Sequence, residues 1–511
     1  MEFQNLLLLK PSQTSSTFLL SFFTTILICV ISLLLLLFKR KLWCNCNICH
    51  TYLTKSWSKE FNNLCDWYTH LLQNSPSQTI HIHVLNNTIT ANPRNVEHIL
   101  KTQFENYPKG KPFSSILGDF LGNGIFNVDG DLWMFQRKMA SLELGSMPIR
   151  SYAFQIVTNE IKFRLLPLLS SYSLRNNQVL DLQDVFKRFS FDNICKFSFG
   201  LDPGCLELSL PLSHFANFFD LASKLSAERA MVASPFIWKI KRFLNLGSEN
   251  KLKEAIRNVH VLAEQVIRQK RKLGFSTQQD LLSRFMASNS DDIFLMDIVK
   301  SFILAGRDTM ASGLTTFFFL LATHPEVMTK IREESKRVMR PGQELPSFDQ
   351  LREMHYLHAA VYESMRLYPP IQFDSKFARE TDILPDGTRV KMGTRVTYHP
   401  YAMGRVKSNW GSDCLLFRPE RWLKNGVFCP QCPYKYPIFQ AGIRVCLGKE
   451  MALVEMKSVA VCVLHGFDIE LVEPLVPLGF EPGLTATLRG GLRVIVRERV
   501  VGHMGMASWS M

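Results

Sequence analysis

This chain is short of acid, has no internal repeat, and carries no extended Pro/Gly/Ser linker beyond residue 75. The missing repeat excludes solenoids and propellers, which show self-similarity at a fixed period. The missing linkers argue against a string of independent domains, although 511 residues would suffice for several. One large, mainly helical unit is the simpler reading. Asp and Glu number 45 against 59 Lys and Arg, a formal charge of +14. A nucleic-acid partner would need that excess gathered in one basic stretch with aromatics between, and here it is scattered. An anionic membrane surface or an acidic redox partner suits it better. Apolar residues are not scarce. They make up 46% of the chain, and 38 Phe can line an apolar pocket as well as fill a core.

Charge is absent altogether from Thr17–Phe38. As a helix this run spans about 33 Å, enough to cross a bilayer. A cleaved signal peptide would have a shorter apolar region and a small-residue site after it. Lys39-Arg40-Lys41 follows instead, and by the positive-inside rule this cluster stays cytosolic. The twelve cysteines then sit in a reducing compartment, where a disulfide framework is not expected. Cys44, Cys46, Cys49 and His50 offer zinc-ligand chemistry, as do Cys429 and Cys432. Ligands packed into one short segment cannot readily surround a metal, so unmodified thiols are the favoured reading, with acylation of Cys44, Cys46 or Cys49 as the alternative.

Chemistry concentrates in Phe439-Gln-Ala-Gly442-Ile-Arg444-Val-Cys446-Leu-Gly448. Glycines let the backbone wrap around a sulfur and aim N–H groups at it, which favours a thiolate. The plain alternative is a structural cysteine in a Gly-containing turn. Upstream, Ser290–His324 has no proline and is apolar all round, the pattern of a long buried helix of about 52 Å. At its centre lies Ala305-Gly306-Arg307-Asp308-Thr309. The small pair makes room beside a flat ligand, and Asp308 and Thr309 can relay protons. Thr309 can also bond the carbonyl four residues back and bend the helix. Glu363 and Arg366, at i and i+3, share one helical face and are followed by Leu367-Tyr368-Pro369-Pro370. Phe417-Arg418-Pro419-Glu420-Arg421-Trp422 lies further on, and Trp133 and Arg137 stand one helical turn apart.

These five motifs, in this order, resemble the haem-thiolate monooxygenases of the cytochrome P-450 superfamily. The resemblance implies a mainly α fold with small β-sheets, preceded by one N-terminal transmembrane helix. It implies residues 1–16 in the lumen, an anchor at 17–38, a juxtamembrane linker at 39–60, the monooxygenase domain at 61–498 and a tail at 499–511. An endoplasmic-reticulum membrane protein with its catalytic domain in the cytosol is expected. The cofactor would be haem b with Cys446 as axial iron ligand. O2 is the oxidant, and electrons come from NADPH through a cytochrome reductase. Phe439, Gly442 and Gly448 would shape the cysteine loop, and Trp133, Arg137, Lys376 and Arg444 would meet the haem propionates. Glu363, Arg366 and Arg421 would form a structural cluster behind the haem, and Asp308 and Thr309 would be the catalytic proton relay.

Between Asn63 and Gly145 the text is similar to plant fatty-acid ω-hydroxylases. CHTYLTKSW followed by NLCDWYTHLL is most similar to the branch that oxidises jasmonoyl-isoleucine, or its 12-hydroxy form, on to the 12-carboxy product. The substrate implied is a small amphipathic acid. Its contacts are expected from Phe113 to Phe126, from Ile371, Gln372 and Phe373, and from Leu484, Thr485 and Ala486. A general fatty-acid ω-hydroxylase and a non-catalytic membrane-tethered haem protein are the alternatives. An intact Ala-Gly-x-Asp-Thr argues against the second, since a sensor needs no proton relay. The Pro-rich hinge usual in the family is missing, and residues 42–60 read LWCNCNICHTYLTKSWSKE.

Overall fold

Asp291 starts the long helix by accepting hydrogen bonds from the backbone N–H of Ile293 and Phe294, and Pro325 bars the α conformation at His324 where it ends. The run expected as one helix is Asp292–Ile303, a single π-helical stretch Leu304–Asp308, and Thr309–Thr323. This computed structural model describes residues 21–33, 44, 46–175, 177–207, 214–232, 234–274, 280–288, 291–473, 478–481 and 483–499.

Two apolar cores meet along that helix. Leu295, Ile298, Val299 and Ile303 on its first half pack with Phe120, Phe219, Val259 and Phe285. Met310, Leu314, Phe317 and Phe318 on its second half pack with Val361, Met365, Val459 and Val463. The π stretch falls between the two cores, so the Ala305–Thr309 motif lies at their seam. Three helices flank the seam: Leu182–Phe199, His355–Leu367 and Lys449–Gly466. The sheets are small. The largest runs Thr79–Ile82, Asn87–Thr90, Arg395–Tyr398, Asp374–Phe377, with Asn87 opposite Arg395 in a parallel pair and Asp374 opposite Tyr398 in an antiparallel one. A second joins Phe467–Leu471, Arg493–Glu498 and Val179–Asp181.

The compact unit holding these elements begins at Trp57. The segment before it is described by itself. Residues 21–33 are helical with exposed side chains, and the rest of the expected 17–38 anchor, with Lys39-Arg40-Lys41, lies outside the described residues. Among the described residues no helix is long and apolar enough to cross a membrane. Within the expected linker, Asn47–Thr54 is a helix capped by the Cys46 thiol, which accepts from Cys49 N–H at 3.5 Å. The expected tail lies outside the described residues except for Arg499.

Candidate active site

Cys446 sits in a loop that its neighbours force into shape. Gln440 and Gly442 both adopt positive φ, and a Cβ on Gly442 would collide with the Leu100 carbonyl. Cys446 N–H donates to Phe439 O at 2.8 Å and closes the turn. Gly448 then caps the Lys449–Gly466 helix, so the sulfur lies at a helix N-terminus. Burial pushes the thiol pKa up. Backbone N–H groups of Gly448 and Lys449 and the charges of Arg137 and Lys449 pull the other way, as a thiolate requires.

The sulfur opens onto an apolar cavity of about 490 Å³. Thr309, Ala305 and Gly306 line the same space, as do Trp133, Arg137, Lys376, Phe439, Arg444 and Gly448. Phe113, Phe126, Ile371, Gln372, Phe373, Leu484, Thr485 and Ala486 line it too, so the three segments expected to meet substrate come together there. Arg444 lies 4.3 Å over the Trp133 ring and donates to Asp129 at 2.6 Å, and burial lowers the pKa of both Arg444 and Arg137. Lys376 differs from expectation in one respect. Its ammonium is already 2.8 Å from Asp374, a carboxylate also held by Tyr398 and Gln440.

Sequence reasoning missed Lys109. Its ammonium lies 4.3 Å over the Phe113 ring on the cavity wall and forms no ion pair among the described residues, and burial lowers its pKa to about 7. A single Lys in Tyr107-Pro-Lys109-Gly110 gives no signal before the fold brings it to the cavity. Glu455 was missed as well. Burial lifts its pKa to about 8, and its carboxylate accepts a hydrogen bond from Asn193 at 3.4 Å.

Glu363, Arg366 and Arg421 do meet. Arg366 Nε and Nη2 reach Glu363 at 2.7 and 2.8 Å, and Arg421 Nε reaches it at 3.1 Å. Trp422 Nε1 adds a bond of 2.8 Å. Phe439 of the cysteine loop packs 6.4 Å from the ring of Tyr362, next to Glu363, so the cluster stands behind that loop.

The relay pair divides. Thr309 faces the main cavity, and its hydroxyl donates to Ala305 O at 2.5 Å. Asp308 faces a second, smaller cavity of about 150 Å³. Gly306 owes its size to a packing contact, because a Cβ there would strike the side chain of Ile194 on the neighbouring helix. That explains the glycine better than room for a cofactor.

The family model for Cytochrome P450 matches residues 39–487. The chain belongs to the cytochrome P450 family. It is 60% identical to Cytochrome P450 94C1 of Arabidopsis thaliana over 472 residues, covering 91% of this chain and 95% of that one. It is 47% identical to Cytochrome P450 94B1 of the same plant, covering 87% and 89%. Cytochrome P450 94A1 of Vicia sativa is 45% identical, covering 87% and 88%. A P450 is a haem-thiolate monooxygenase that uses haem, O2 and electrons from a reductase.

The site fits haem on its own observations. A thiol with backbone donors aimed at it opens on an apolar space, and a buried, unpaired ammonium at Lys109 suits a propionate. When bound, the haem supplies the oxygen-activating iron. Cys446 would hold that iron, and Lys109, Arg137, Arg444 and Trp133 are placed to meet its acidic edge. The apolar walls would exclude water, and Thr309 brings a hydroxyl to the helix side of the cavity, as Ser301 does.

Proposed function

We propose that this P450 hydroxylates the terminal carbon of a small amphipathic carboxylic acid, jasmonoyl-isoleucine or its 12-hydroxy form, and carries it on to the 12-carboxy product, so removing a jasmonate hormone. The observation that carries this reading is the apolar cavity onto which Cys446, Thr309 and all three expected substrate segments open. Such a cavity suits an alkyl chain whose far end rests over the iron while a polar head stays near the mouth. High similarity over nearly the whole chain to the plant 94-series P450s supports the substrate class. Asp308 and Thr309 deliver protons, Glu363, Arg366 and Arg421 lock the cysteine loop, and the protein works on the cytosolic face of the endoplasmic reticulum, held by residues 17–38.

The test is expression with a plant reductase and NADPH, with product analysis from jasmonoyl-isoleucine and from lauric acid. The 12-hydroxy and then the 12-carboxy conjugate are expected, with little product from laurate. Strong laurate turnover and none of the conjugate would assign a general fatty-acid ω-hydroxylase. No product from either, in haem-loaded protein, would favour the non-catalytic reading.

A further inference from the structure

Arg307, in the middle of the Ala305–Thr309 run, is buried at 1% exposure, yet two of its three guanidinium nitrogens, Nε and Nη2, have no hydrogen-bond partner among the described residues. The remaining one, Nη1, serves two carboxylates at once: Asp308 at 3.1 Å and Asp220. A well-made Arg–carboxylate pair uses two parallel N–H bonds, and neither acid has that here. The guanidinium carbon lies 5.8 Å from the Phe191 ring, which offers no acceptor oxygen. Asp220 belongs to the His214–Met231 helix, whose Ala227, Ala230 and Met231 line the main cavity. Its side chain is 38% exposed and is also held by Lys187 at 3.4 Å, whereas Asp308 is 10% exposed.

The two cavities stand back to back. Thr309 opens on the main one and Asp308 on the smaller one, and residues 483–486 wall both. Besides Asp308, the small cavity is lined by Lys187, Asp220, Lys224 and Glu481, which makes it a polar way in from solvent. Lys224 and Glu481 face each other at 3.6 Å on its rim.

We propose that Asp220 is a positioning residue for Asp308. By competing for Arg307 it keeps Asp308 able to hold a proton, and because it rides on a helix of the cavity roof it ties that ability to whether the cavity is filled. This rests on the Asp308–Thr309 relay reading. With the cavity empty, Asp220 draws the guanidinium away and adds a like charge nearby, and both effects favour the protonated form of Asp308. A substrate that displaces the roof helix takes Asp220 with it. Arg307 then turns wholly to Asp308, which gives up its proton toward Thr309, and the small cavity reloads it. Burial, the first cause, already raises the Asp308 pKa to about 6 against the pull of Arg307, with Asp220 pushing the same way as burial and Lys187 opposing.

The experiment is an infrared titration of the full-length, haem-loaded ferric enzyme without reductant, following the carboxylic-acid band that Asp308→Asn removes. Asp220→Asn should move its midpoint down by about one pH unit, a roughly tenfold weaker hold on the proton. Lys187→Gln should move it up, because that substitution removes a cation from the cluster. Adding jasmonoyl-isoleucine, with laurate as second probe, should lower the wild-type midpoint and leave that of Asp220→Asn where it was. An unmoved midpoint in Asp220→Asn, or equal ligand shifts in both proteins, overturns the proposal. Should Asp220→Asn fail to load haem, a Lys187→Gln midpoint that does not rise overturns it instead. Failure of the relay is a separate result: Asp308→Asn would then give normal product per NADPH whatever the titrations show.

Discussion

Arg366 and Arg307 are both fully enclosed arginines on long helices beside the same cavity, and they are built in opposite ways. Arg366 uses every nitrogen: two bonds to Glu363 and one each to the carbonyls of Gly404, Cys414 and Leu416. Glu363 is equally saturated, by Arg421, Trp422 and the Arg418 N–H. Arg307 leaves two nitrogens bare and shares the third. A saturated buried cluster has one low-energy arrangement, because any shift orphans a charge. An under-satisfied one has several of similar energy. On the roles proposed above, the contrast separates scaffold from switch: the Arg366 cluster would hold the cysteine loop still, and the Arg307 cluster would be free to rearrange.

The largest effect should come from breaking the saturated side. Glu363→Ala takes from Arg366 its carboxylate partner at a site that is 0% exposed and leaves Arg421 with Asp413 alone, at a cost of about 3–5 kcal/mol. Denaturant titration and the yield of the reduced carbon-monoxide absorbance band should both collapse. A variant that keeps its haem would mean the cluster is not the scaffold of that loop.

The other side should behave differently. Thr309→Ala removes one hydroxyl and a hydrogen bond to the carbonyl of its own helix, so the melting temperature should hardly move. Product formation should fall while NADPH is still consumed and hydrogen peroxide accumulates, since general-acid assistance is worth about 100- to 10,000-fold. Product per NADPH equal to wild type would make Thr309 a packing residue.

The smallest effect sharpens the comparison through pH. Asp308 holds its proton more tightly folded, at about 6, than at its ordinary 3.8. Its favourable contribution is therefore complete below pH 3.8 and is lost as pH climbs through about 6. Asp308→Asn has no such loss. Its melting temperature relative to wild type should rise by a few degrees across that window and level off above it. A pH-independent difference would show that Asp308 is not held in this way.

The parts of the site legible beforehand are those where bonding geometry dictates a local spacing. Glu363 and Arg366 had to lie at i and i+3 to share a face, and Cys446 needed Gly442 and Gly448 to bend around it. That the three segments expected to meet substrate would share one cavity was legible only by likeness to a family. What stayed hidden depends on residues far apart in the chain. Nothing near Arg307 announces Asp220, nothing near Gly306 announces Ile194, and Lys109 reads as a surface lysine until the fold buries it. The π stretch was hidden for another reason. Its sequence is as helical as its flanks, and one shifted hydrogen-bond register, between two cores packed on opposite sides, decides it. The anchor reading rests in part on residues outside those described, 17–20 and 34–41.

The collision that bars a side chain at Gly442 comes from Leu100, a residue made in the first fifth of the chain, whereas Gly442 belongs to the last. The cysteine loop packs directly against that early carbonyl, so this contact needs both ends of the polypeptide. During synthesis the ribosome must release nearly the whole protein before the two strands of this contact can meet. A product stopped short of the loop lacks Cys446 and, with it, the thiol that would hold the iron.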